Sequence, residues 1–241
     1  MSLWLCGEIS SPGARLLKVG LTGGIASGKS IVGEMFVALG AHLVQADRIA
    51  HQLMRPGEPV YNEVVRHFGR AILNRDGSVN RAELAKLAFG SVASAPQSGQ
   101  NSDTTAVAFP LPSRVEELNR IVHPAVLRAQ EEWMQAIGRS DPRAIAIVEA
   151  ALIIEAGAAK RFDRLLVVTC TDEQRMARFA ARQKVDIEAA RHEVARRMAA
   201  QLPESEKAKA ADYVIDNSGS LTHTRQQVQQ VWAKLCTDQQ S

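Results

Sequence analysis

The chain has 241 residues, enough to bury one sizeable core with a smaller lobe grown from insertions. Its 29 basic and 26 acidic side chains leave a formal net charge of +3, which suits phosphorylated ligands but is too small and dispersed for a duplex nucleic-acid binder. Cys6, Cys170 and Cys236 contain no C-x-x-C pair and suggest neither a zinc ribbon nor a disulfide framework, so a reducing cytoplasm is expected, and no apolar run approaches the roughly twenty residues of a membrane helix.

Residues 1–14 carry an apolar patch too short for a secretory signal and end in Ser10-Ser11-Pro12-Gly13, a breaker cluster, so a flexible extension without a chemical role is expected there. The apolar run Leu16 to Leu21 then predicts a strand, and it leads into Gly23-Gly24-Ile25-Ala26-Ser27-Gly28-Lys29-Ser30, a full G-x-x-x-x-G-K-[ST] motif. Glycines let successive backbone N–H groups face β- and γ-phosphates, Lys29 supplies a point charge, and the Ser30 hydroxyl suits Mg²⁺. A helix starting near Lys29 adds its positive dipole end, so the segment reads as a nucleoside triphosphate site.

Ile31, Val32, Met35, Phe36 and Leu39 share one helical face, and Gly40 ends that helix. Ala41 to Val44 predicts a second strand that delivers Gln45-Ala46-Asp47 at its carboxyl end, where ligands of open parallel sheets bind. Asp47 is therefore the leading acidic candidate, with the N-cap of a helix starting at Arg48 as its structural alternative. From Ile49 to Gly138 the pattern is mostly helical, broken at Arg55-Pro56-Gly57, Gly69 and Asn74-Arg75-Asp76-Gly77, with a helix start at Asn80 and Glu83. Residues 90–113 change to Ser, Ala, Gln, Thr and Pro without period and read as a flexible surface insertion.

Ala144 to Ala150 is a near-continuous apolar run ending at Glu149, which suits a buried parallel strand with an acid where Mg²⁺ water would be ordered; an ordinary strand-end acid fits as well. Arg164 to Cys170 predicts the next strand, and Thr171-Asp172-Glu173 opens a helix on which Arg178 and Arg182 share a face. Asp212 to Asn217 predicts a last strand before a terminal helix to Leu235. Five strands alternating with helices imply an α/β fold with a parallel sheet covered on both faces. No Asn-Lys-x-Asp guanine signature is present, and the chain lacks the bulk of a motor or transporter, so a small-molecule kinase is favoured.

The chain resembles the dephospho-coenzyme A kinase family over Leu17 to Leu235. Leu21 to Ser30 is similar to that family's Leu-Thr-Gly-Gly-Ile-x-Ser-Gly-Lys-Ser loop, and Ala46-Asp47-x-Ile49-Ala50 to its Asp-Ala-Asp-x-Ile-Ala segment. Pro56-Gly57, Ile121-Val122-His123-Pro124, Leu152-Ile153-Ile154-Glu155, Arg197 to Gln201 and Asp212 to Asn217 follow in the family's order. The resemblance implies a P-loop NTPase-type three-layer sandwich over residues 15–238, with a helical acceptor-binding insertion over about 48–138 and a helical lid over about 172–202. It implies transfer of the ATP γ-phosphoryl group to the ribose 3′-hydroxyl of dephospho-CoA, the last step of CoA synthesis.

By the same carry-over, Asp47 would orient the attacking hydroxyl, Lys29 and the lid residue Arg182 would act on the phosphates, and Gly23, Gly24, Ile25, Ala26, Ser27, Gly28, Ser30, Arg197 and Asn217 would bind the nucleotide. His123 and Glu155 would lie near the acceptor, although a packed or capping histidine, with Pro124 constraining a turn, and a helix-terminal acid are the bland readings. Gln45, Ala151 and Ile31 depart from the family's acid, proline and hydroxyl residue at those places. ATP, Mg²⁺ and dephospho-CoA are the expected ligands of a monomer or weak homo-oligomer in the cytoplasm, with no nucleic-acid or membrane partner. Another small-metabolite or nucleoside monophosphate kinase, or a non-catalytic nucleotide-binding switch, is the alternative.

Overall fold

A computed structural model of the chain describes residues 15–89 and 114–239. The expected extension at 1–14 and the insertion at 90–113 lie outside the described residues.

The described chain runs β1 (Leu17–Gly23), α1 (Lys29–Val37), β2 (His42–Gln45), α2 (Ala46–Leu53), α3 (Pro59–Phe68), α4 (Arg81–Phe89), α5 (Val115–Ser140), β3 (Ile145–Glu149), β4 (Arg164–Thr169), α6 (Asp172–Gln183), α7 (Ile187–Ala199), α8 (Glu204–Lys209), β5 (Tyr213–Asp216) and α9 (Leu221–Asp238). It divides into two compact units, one of the described residues within 15–46 and 130–239, the other of those within 47–89 and 114–129.

The first unit is built on a five-stranded parallel sheet of order β2-β3-β1-β4-β5. A strand buried on both faces must be apolar at consecutive positions, and β3 is buried at every residue. Ile145 and Ile147 join Leu17, Val19, Leu21, Leu166, Val168 and Ile215 on the face covered by Val32 and Phe36 of α1 and Val228, Val231 and Leu235 of α9. Ala146 and Val148 point the other way, against Met134 and Trp133 near the end of α5. Each fully buried leucine contributes about 2 kcal/mol, so this double covering supplies much of the driving force for the unit.

Caps set the helix boundaries of this unit. Thr171 caps α6 by accepting from Gln174 N–H, Asp186 caps α7 by accepting from Ala189 N–H, and Ser220 caps α9 by accepting from His223 N–H.

The second unit is helical and has its own core of Val60, Val64, Phe68, Ile72, Leu84, Ala88 and Ala125. Asn80 caps α4 through its side-chain oxygen, which accepts from Ala82 and Glu83 N–H at 3.1 and 3.2 Å. The breaker cluster at Asn74 closes a tight reversal: Asn74 N–H donates to Ser78 O, Gly77 sits at φ +81°, and Leu73 and Val79 form an antiparallel bridge. Pro124, expected to constrain a turn, lies inside the 26-residue helix α5 instead. Leu118, Ile121, Val122 and Ala125 all pack on the unit's core, so apolar burial on both sides of the proline outweighs the hydrogen bond it removes.

Candidate active site

β1 ends at Gly23, α1 begins at Lys29, and the five residues between them form a tight loop with Ser27 N–H donating to Gly24 O. Gly28 precedes α1 in the left-handed region at φ +95°, and a Cβ there would collide with the Asn217 side-chain amide. Only glycine satisfies both constraints. Ala26 also has positive φ, +54°, without a glycine's licence. Lys29 Nζ donates to the carbonyls of Gly23 and Gly24 at 3.0 and 2.9 Å, which folds the ammonium back over the loop.

Ser30 Oγ donates to Glu149 Oε1 at 2.9 Å, and Gln45 Nε2 donates to Glu149 Oε2 at 2.8 Å. The carboxylate thus stands at the end of β3, nearly buried, with both oxygens oriented by neighbouring residues. The Ser30 hydroxyl and the Glu149 carboxylate, with no sulfur or imidazole donor beside them, are oxygen donors of the kind a hard dication takes. Gln45 brings no charge to this set; it fixes the acid that does.

The far side of the loop is held from β4, α6 and the segment after β5. Asn217, 1% exposed, donates from Nδ2 to Ser27 O at 2.8 Å and accepts from Thr224 Oγ1 at 3.0 Å. Arg178 bridges Ser27 O at 3.2 Å and Asn217 O at 2.9 Å. Arg175 is 1% exposed and donates to Ile25 O at 2.6 Å, to Cys170 O at 3.4 Å and to Glu204 Oε2 at 2.9 Å. Burial works against its charge, and the Glu204 carboxylate together with Cys170 and Asp172 more than offsets this, leaving its pKa above the usual arginine value. Burial also pushes the Cys170 thiol up, which makes it an inert packing group.

Ile25 packs with Phe179 of α6 and Ala190 and Val194 of α7, so an apolar cluster joins the loop to the helix pair. Arg182 and Arg197, the two expected lid arginines, both lie against the Phe179 ring, at 5.8 and 5.5 Å from its centroid. Arg197 also donates to Glu193 at 2.6 Å, and hydrogen bonds from Arg196 and Arg197 hold the Glu193 carboxyl down at about 2. Glu155 accepts from Leu202 N–H at 3.1 Å and pairs with the buried Lys207 at 2.7 Å, so one of its oxygens serves the segment after α7.

In the helical unit, Asp47 is the second residue of α2, not a cap before it, and is exposed. Its carboxylate meets no hydrogen-bond or ion-pair partner among the described residues. His123 is exposed in the interior of α5, neither packed nor capping, because the helix runs on through Pro124. This unit also holds a cavity of about 390 Å³ lined by His51, Arg55, Asn74, Ser78, Asn80 and Arg81 among others, with no acid in its wall. Desolvation and the neighbouring Arg81 and Arg55 hold the His51 pKa below that of ordinary imidazole.

Motif and strand position single out the loop, Lys29, Ser30 and Glu149 in the sequence, and the structure brings them together. Neither motif nor strand position points to Arg175 as a loop contact, to the Gln45–Glu149 bond or to the basic cavity. Arg178 was noticed only for sharing a face with Arg182. Backbone carbonyls as partners leave no sequence pattern, whereas a hydrophobic helix face does.

The family model described as dephospho-CoA kinase matches residues 17–96 and 103–223. A curated dephospho-CoA kinase of Syntrophotalea carbinolica is 39% identical over 220 residues, covering 91% of this chain and 92% of that protein. One from Aquifex aeolicus is 34% identical, covering 92% and 98%. A crystal structure from Thermus thermophilus superposes with a TM-score of 0.68 at 30% identity, covering 92% of this chain and 98% of its own.

Proposed function

The chain belongs to the dephospho-CoA kinase family, and on that premise we propose how its residues divide the work of the reaction. That reaction is ATP-dependent phosphorylation of dephospho-CoA, giving CoA and ADP. ATP as donor favours the cytoplasm as its compartment.

Phosphoryl transfer passes through a loose transition state, so the protein's task is to position two partners and neutralise charge. The loop from Gly23 to Ser30 takes the β- and γ-phosphates on its backbone N–H groups and on the α1 N-terminus. Lys29 exchanges the carbonyls of Gly23 and Gly24 for phosphate oxygens, a charge-assisted and stronger contact. Ser30, with Glu149 behind it, would hold Mg²⁺, which would supply neutralisation of charge on the phosphate oxygens. Arg182 and Arg197 approach the transferring group from the lid, their guanidinium planes matched to its equatorial oxygens. Asp47 orients the 3′-hydroxyl of the acceptor and accepts its proton, consistent with an exposed carboxylate that no other side chain engages among the described residues. The acid-free basic cavity of the helical unit takes the acceptor's diphosphate on Arg55 and Arg81.

The observation that carries this division is the Ser30–Glu149–Gln45 chain beside the glycine loop, because a loop that merely turned would need no oriented, buried acid at its helix end. Purified protein with ATP and dephospho-CoA yields CoA and ADP in equal amounts, and nucleoside monophosphates in place of dephospho-CoA yield no diphosphate. Turnover of monophosphates with none of dephospho-CoA would overturn the acceptor assignment.

A further inference from the structure

We propose that Arg175 is a positioning residue for phosphoryl transfer: through the Ile25 carbonyl it sets the direction of the Ala26 backbone N–H in the phosphate loop. The inference rests on that loop holding ATP.

A trans peptide is planar, and its C=O and N–H point in opposite directions. Arg175 Nη1 takes the Ile25 oxygen at 2.6 Å, so the N–H of the same peptide, that of Ala26, is turned away from the guanidinium. The Ala26 N–H donates to no protein acceptor among the described residues. Ala26 holds φ +54°, a conformation that an alanine keeps only where its surroundings dictate it. A strong donor on the preceding carbonyl is such a surrounding.

The residue type fits the task. A guanidinium carries five N–H donors in one rigid plane, and Arg175 spends them on three separate segments: Ile25 of the loop, Cys170 at the end of β4 and Glu204 at the start of α8. A lysine ammonium at the end of a flexible stem does not reproduce that fork. Gly24 accommodates the arrangement, since a Cβ there would collide with Arg175 Nη1. Glu204 keeps the buried cation paired; its more exposed companion Asp172 stands farther off, at 3.4 Å. Nothing in the catalytic division of labour above uses this pair.

Removing the pair as a unit separates positioning from stability, because replacing both members of a buried ion pair by apolar residues is often tolerated, whereas removing one is not. In the double variant Arg175→Met, Glu204→Leu, the melting temperature stays within about 3 °C of the parent. The ADP dissociation constant and the KM for ATP rise about tenfold, while the KM for dephospho-CoA changes less than about twofold. Hydrogen exchange with ADP bound shows lost protection at Ala26 and retained protection at Ser30 and Ile31. Arg175→Lys recovers part of the ADP affinity, and it is read by the same criteria if the double variant does not fold. Parental ADP affinity and KM for ATP in the folded variant would overturn the proposal and assign Arg175 to packing alone. Failure of the parent protein to bind ADP would instead overturn the nucleotide reading beneath it.

Discussion

Asp47 and Gly28 carry opposite kinds of demand on a single residue. Asp47 is exposed on the first turn of α2, so its loss removes no packing. Asp47→Asn keeps the shape and a hydrogen-bonding oxygen but cannot accept a proton; kcat falls at least ~100-fold while the ATP dissociation constant stays within about threefold. Steady-state rates beside calorimetric titration of ATP check the split, and an unchanged kcat would show that the acid is not used. Gly28 answers to geometry. Ala there would force φ +95° on a residue with a Cβ and drive that Cβ into the Asn217 amide, which is itself bound to Ser27 O. Gly28→Ala costs on the order of 2 kcal/mol in urea unfolding and abolishes ATP binding, because the loop and its Asn217 brace move together.

At the scale of elements, what was legible followed from how each element is stabilised. The three central strands were visible because parallel strands covered on both faces read as unbroken apolar runs, as Ile145 to Val148 do. Thr171 and Asn80 were legible as caps, since a cap lies next to the N–H groups it serves. Arg175 was not, because its acceptor Ile25 O lies 150 residues earlier and is a backbone atom. Pro124 misled because proline is read as a break, and only tertiary burial shows why α5 continues.

The end of α9 has the same long-range character. Asp238 sits in its last turn, where the dipole disfavours an acid, yet it accepts from Arg164 Nε at 2.8 Å and from the Tyr213 hydroxyl at 2.7 Å. The Arg164 hydrogen bond holds the Asp238 carboxyl below its ordinary range. A carboxyl whose folded pKa is lowered stabilises above its unfolded value near ~3.9, and that contribution is lost as pH falls through the folded value. Asp238→Asn therefore costs about 1 kcal/mol at neutral pH, and the difference from the parent shrinks below about pH 4. Urea titrations at pH 7 and pH 3 measure it; an equal cost at both would mean that the pair's charge contributes nothing.

Among the described residues, the first unit has a core around the sheet and the second has its own among α2, α3, α4 and the first half of α5, and those two clusters share no residue. The residues proposed to serve the nucleotide lie in the first unit: the loop, Glu149, Arg175, Arg178 and Asn217 all belong to it. The acid-free cavity with Arg55 and Arg81 belongs to the second. A ligand stabilises the state it binds by mass action, and the protection it confers is greatest where its contacts hold the backbone closed. ADP alone should therefore slow hydrogen exchange over residues 23–31 and at the start of α6, leaving residues 47–89 close to their free rates. Dephospho-CoA alone should protect the α2 segment around His51 and Arg55 and the Asn74 to Ala82 reversal, where backbone hydrogen bonds such as Asn74 N–H to Ser78 O line the cavity. Arg81→Ala should erase the second pattern and leave the first intact, since it removes a cation from the cavity wall and the loop belongs to the other unit. Protection of the reversal by ADP alone would instead mean that the cavity serves the nucleotide, and the division of the two substrates between the two units would be wrong.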